Sequence, residues 1–78
     1  MSDEVAIKLT RAEALVLFEW IARIEKANAL PVVDQAEEYV FWRIEGQLEK
    51  TLVEPFAANY TELLDAARAM VRKDTAPR

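Results

Sequence analysis

Apolar residues recur along most of the chain at three- and four-residue steps, the spacing that aligns side chains on one face of an α-helix. Three stretches carry this pattern. In the first, Ala14, Leu17, Phe18 and Ile21 form a central stripe flanked by Leu15, Ala22 and Ile24, an arc wide enough to meet two other helices. Val16 and Trp20 lie four apart on its far side. In the third, Tyr60, Leu63, Ala67 and Met70, with Leu64 and Val71 beside them, make a single stripe, while Glu62, Asp65, Arg68, Ala69 and Arg72 look outward. The second stretch, residues 34–53, is different. There Val40, Phe41, Ile44, Leu48 and Leu52 make a core face, and Tyr39, Trp42, Gly46 and Val53 gather on a nearly opposite one. A helix apolar on two sides needs two partners, so the chain is expected to be organised around this element, with a second copy of the chain covering the extra face.

Local signals set the element ends. Thr10 followed by Glu13 is a capping box, and Leu9 can staple onto Ala14. Asp34 with Glu37 repeats the logic, as do Asn59 and Glu62. Pro31 biases Leu30 away from helical geometry, and Pro55 does the same to Glu54, so the second helix should stop near Val53. The helices are therefore expected at about 11–27, 35–53 and 60–73. Residues 4–9 alternate instead, with Val5, Ile7 and Leu9 on one side. No second strand is evident, so this segment is either an arm lying on the helices or a strand completed by another molecule. Leu30, Val32 and Val33 should tuck over the end of the bundle, and Phe56 should plug its base. The expected fold is all-α: an antiparallel three-helix bundle with an extended N-terminal arm or short strand, one domain over 1–78, and oligomeric.

Size and composition sharpen the last point. With 78 residues, 53% of them in the hydrophobic set and a single glycine, the chain is too apolar to be a disordered tail and too short to bury a large core. Small domains of this kind lean on a disulfide, a metal or an oligomer. Cysteine and histidine are both absent, which removes the first and the commonest ligand of the second. Self-association remains. Gly46, whose mid-helix position costs about 1 kcal/mol relative to alanine, fits a close approach by another helix on the aromatic face.

The formal charge of −4 disfavours phosphate backbones and anionic lipid. A helix-turn-helix reading also fails at its recognition turn, where Tyr60, Thr61 and Glu62 would meet DNA. Acidic residues follow Met1 where a secretory leader would be basic, and the longest apolar run, Ala14 to Phe18, is far too short for a membrane span. A cytoplasmic protein with neither nucleic-acid nor membrane partner is expected.

No motif for catalysis stands out. The sequence offers no nucleophile beside a base, no phosphate-cradling glycine loop and no ligands at metal spacing. Glu38, Glu45 and Glu49 share one side of the second helix, a pattern that usually marks a solvated face. No enzyme activity, cofactor or metal is therefore expected. The candidate site is a partner-binding surface of Val16, Trp20, Tyr39, Trp42, Gly46 and Val53, and the expected function is a noncatalytic protein-interaction module that self-associates as a dimer. The alternative is a monomeric acidic inhibitor of antitoxin or immunity type, which would use the aromatic patch and the three glutamates on a basic protein.

The stretches LTRAEALVLFEWIARIE, DQAEEYVFWRIEGQLEK and LVEPFAANYTELL resemble a group of short, uncharacterised bacterial helical proteins. The resemblance implies a bacterial origin. It brings no activity, cofactor or catalytic residue with it.

Overall fold

Two capping boxes fix where the chain becomes helical. In the computed structural model, which describes residues 3–74, Thr10 N–H donates to Glu13 Oε1 at 2.8 Å and Glu13 N–H returns to Thr10 Oγ1 at 3.1 Å. Helix α1 follows as Arg11–Lys26. At the next start, Asp34 Oδ2 accepts from Ala36 N–H at 2.7 Å, and Glu37 Oε1 accepts from Val33 N–H at 2.8 Å, opening α2, Gln35–Thr51. A short 3-10 turn, Glu54–Phe56, leads to α3, Tyr60–Asp74. Among the described residues there is no strand, and residues 4–9 carry no regular secondary structure.

The end of α1 is a Schellman motif. Asn28 takes a left-handed φ of 53°, its N–H donates to Glu25 O at 3.0 Å, and Ala29 N–H donates to Ile24 O at 3.0 Å. Asparagine tolerates this conformation better than other non-glycine residues, so the motif closes the helix without a glycine. At the end of α2, Leu52 turns to φ −90° and ψ 135° while its N–H still reaches Leu48 O at 2.9 Å. That turn ends the helix two residues before the expected Val53.

The turn also drives Leu52 inward, where it is only 2% exposed and joins Leu15, Leu64 and Ala67 in the core. The core thus lies where α1, the end of α2 and α3 meet. Tyr60 reaches Glu19 while Met70 lies beside Arg11 and Ala12, so α1 and α3 run in opposite directions. Helix α1 packs most extensively on α3 and less on α2, whereas α2 and α3 barely meet. The hub is therefore α1, and its wide apolar arc accounts for that. This corrects the expectation that α2 organises the chain: α2 has no buried residue of its own.

Helix α2 is also rolled relative to its expected orientation. Phe41, Leu48 and Leu52 turn toward the rest of the chain, but Val40 and Ile44 are exposed and Glu38 and Glu45 are half-buried in their place. At 100° per residue the inward direction has moved by roughly 40°. Anchoring at Leu52 sets this rotation, because that side chain must enter the core. Two connecting segments differ from expectation as well. Val33 is 94% exposed and only Leu30 is half-buried in the first loop. Phe56 is 81% exposed and plugs nothing. It follows the half-buried Glu54 and Pro55 on the 3-10 turn, which leaves Phe56 on the outer side.

Candidate functional site

The surface of α2 opposite Leu48 and Leu52 carries the aromatic pair. Tyr39 and Trp42, one turn apart, place their ring centroids 5.9 Å apart at 44°, a tilted contact. They are 55% and 45% exposed, so neither belongs to the core. Trp42, like most long helical side chains, leans toward the turn N-terminal to it, which is where Tyr39 lies. On the same face, a Cβ added to Gly46 would meet no atom within 4 Å. Nothing in the chain itself therefore explains the glycine, and any close approach there has to come from outside. Val53, beyond the helix end, is exposed as well, but the extended backbone at Leu52 takes it off the helical repeat.

On α1 the two candidates separate. Trp20 is 53% exposed, whereas Val16 is partly buried and packs against the Leu15 core. Among the described residues, the Tyr39 and Trp42 rings are the only aromatic pair, so Trp20 adds a separate apolar island. Apolar residues outside the expected surface are exposed too, among them Val40, Ile44, Phe56 and Met70, besides those of the arm and the first loop. Periodicity placed Val40, Ile44 and Met70 inward, and the apolar character of Phe56 suggested a plug; no signal local to them marks them as outward-facing. Beside Ile44, an open apolar depression of about 450 Å³ is bordered by Val5, Ile7, Leu9, Leu17 and Leu48.

One electrostatic feature adjoins the aromatic face. Burial pushes the Glu45 carboxyl up to about 7, helped by a hydrogen bond and charge repulsion from Glu25 on α1 and by the charge of Glu49. Among the described residues no cation lies within ion-pairing distance of it; the ion pairs are Arg11 with Glu54 and Asp65 with Arg68. Two carboxyls sharing a proton could in principle act in acid–base chemistry. Among the described residues, no cluster of three potential metal-ligating side chains forms. Elsewhere, Tyr60 OH donates to Glu19 Oε1 at 2.6 Å, and burial followed by that acceptor raises the phenol to about 12. This bond ties α3 to α1 and is structural.

No protein family matches the chain, and neither a curated protein nor a solved structure matches it. Among the described residues, no helix is long and apolar enough to cross a membrane.

Proposed function

We propose that the chain is a noncatalytic protein-interaction module that self-associates as a dimer through the face of α2 bearing Tyr39, Trp42 and Gly46 and through Val53 beyond it, with Trp20 of α1 as a second apolar contact. The observation that carries this reading is the surface area. A folded monomer of 8.9 kDa should expose about 4,800 Å², whereas this chain exposes 6570 Å². Part of the excess of roughly 1,800 Å² lies on the N-terminal arm, where Val5 is 86% and Ile7 80% exposed, and part on the open helical faces, against the ~800 Å² that each partner contributes to a standard interface. The radius of gyration is 14.0 Å, against about 11.5 Å for a compact chain of this length, and the extended arm contributes to the difference. Among the described residues, the buried core is five side chains, and more large apolar residues than that are left open. Burying part of that surface in a second copy supplies what a small core lacks.

The acidic-inhibitor reading has weaker support. Glu38 and Glu45, two of its three acidic residues, are half-buried, so the patch displays less charge than the sequence pattern implies.

The test is the solution mass by light scattering across a wide concentration range, with Trp42→Glu beside the parent. A parent dimer and a helical, monomeric Trp42→Glu chain are expected. A parent that stays monomeric at every concentration rejects self-association.

A further inference from the structure

The proposed dimer leaves open how two copies of α2 meet, and the charges beside the aromatic face bear on that question. Gln35, Tyr39, Trp42, Gly46, Glu49 and Val53 follow one another at strict alternating steps of four and three residues. Within the helix, which ends at Thr51, this is the seam spacing of a coiled coil, with Tyr39 and Gly46 at a positions and Gln35, Trp42 and Glu49 at d positions. The flanks are segregated by sign. Glu38 and Glu45 occupy the g positions on one side, and Arg43 and Lys50 occupy the e positions on the other. In a parallel pair, each g residue faces the e residue five places further along the other chain. Glu38 would then face Arg43, and Glu45 would face Lys50, in both directions across the seam. An antiparallel pair sets g against g and e against e, so every one of these contacts would join like charges.

Resting on the self-association reading, we infer that two copies pack α2 against α2 in parallel and in register, with Glu38 paired to Arg43 and Glu45 to Lys50 of the second copy. The intrachain structure leaves the two cations open, whereas Glu38 and Glu45 are half-buried and Glu45 shares a hydrogen bond with Glu25 of α1, a contact that pairing with Lys50 has to replace. Among the described residues, none of the four takes part in an ion pair, and Arg43 and Lys50 are exposed. Glu45, crowded by Glu25 and Glu49, gains a cation on assembly. Gly46 acquires a role as well. In knobs-into-holes packing, the d-position Trp42 of one copy enters a hole formed by Tyr39, Trp42, Arg43 and Gly46 of the other, and the open Cβ position at Gly46 makes room for the indole.

The chain has no cysteine, so a single introduced thiol reports orientation. Gln35→Cys, at the exposed start of α2, should give a disulfide-linked dimer under mild oxidation at concentrations where Thr61→Cys, exposed on α3, does not. Linking that occurs only when Gln35→Cys is mixed with Val53→Cys would reverse the orientation and leave self-association intact. Absence of both links in a chain that light scattering finds dimeric would overturn the α2 seam, and a monomeric parent would remove the dimer itself. Charge reversal gives a second readout. Glu38→Lys/Glu45→Lys and Arg43→Glu/Lys50→Glu should each raise the dissociation constant by about tenfold or more, and an equimolar mixture should restore pairing as a heterodimer. If the first variant self-associates like the parent, the parallel arrangement is rejected, because only an antiparallel seam already sets like charges together.

Discussion

Arg11 grips Glu54 at two points, Nε to Oε2 at 2.7 Å and Nη2 to Oε1 at 3.1 Å, while the same guanidinium donates to Thr51 O at 3.4 Å. A single side chain at the start of α1 thus holds the end of α2 and the turn toward α3. The hydrogen bond from Arg11 is the main cause of the lowered Glu54 pKa. A carboxyl depressed on folding contributes stability above its unfolded pKa and loses it as pH falls through the folded one. Arg11 is about half exposed, so solvent limits the effect. Glu54→Gln should cost no more than about 1 kcal/mol at pH 7, and the difference from the parent should vanish in strong acid. Urea unfolding at pH 7 and pH 3 measures both.

The parts of this fold that were legible in the sequence are those decided within one turn of chain. Thr10 with Glu13 and Asp34 with Glu37 announced two helix starts, because each box closes over three residues. The breadth of the α1 stripe correctly anticipated two neighbours. The roll of α2 was not legible, because Val40 and Ile44 adjoin Phe41 and Leu48 on one continuous apolar arc. Choosing among them requires knowing that Leu52 is anchored in the core, which is a tertiary fact. Phe56 misled for a related reason: its side chain suits burial, but the 3-10 turn that aims it outward is set by its neighbours. At the candidate site, the exposure of Tyr39, Trp42 and Trp20 followed from periodicity, whereas the inward packing of Val16 depended on how widely α3 spreads over α1.

Glu45 should give the opposite pH dependence to Glu54. In the dissociated chain its carboxyl is raised from 4.5 to about 7 by burial and by Glu25 and Glu49. The folded chain then binds a proton that the unfolded chain does not, so stability should rise as pH falls through 7 and level off near 4.5. Glu45→Gln should flatten that slope. Assembly reverses the sign: a Lys50 facing Glu45 favours the ionised form, so dimerisation expels a proton and the dimer should weaken as pH drops below 7. Unfolding midpoints at low concentration and sedimentation at pH 8 and pH 5.5 separate the two effects.

Gly46→Ala tests the aromatic face without adding charge. Within one chain the new methyl meets nothing within 4 Å, and alanine is the better helix former, so the isolated fold should gain about 1 kcal/mol. At a packed seam the same methyl narrows the hole for Trp42 of the second copy and should raise the dissociation constant. A variant more stable as a monomer yet weaker as a dimer is the expected result. If both quantities improve together, Gly46 lies outside the interface.

Leu52 and Ile44 lie two turns apart on the arc first assigned to the core, and only one of them is inside it. Leu52 is 2% exposed and touches elements of all three helices through the Leu15, Leu64 and Ala67 cluster, so Leu52→Ala should destabilise by roughly 2 to 5 kcal/mol. Ile44 is 42% exposed at the edge of the depression shared with Val5, Ile7 and Leu9, and its truncation should cost under about 1 kcal/mol in the dissociated chain. Chemical denaturation at low concentration compares them directly. Equal losses would mean that the depression closes in solution, with the arm packed over Ile44 as firmly as the core packs over Leu52. A loss at Ile44 that appears only at concentrations favouring the dimer would instead place the arm and this flank of α2 under the second copy.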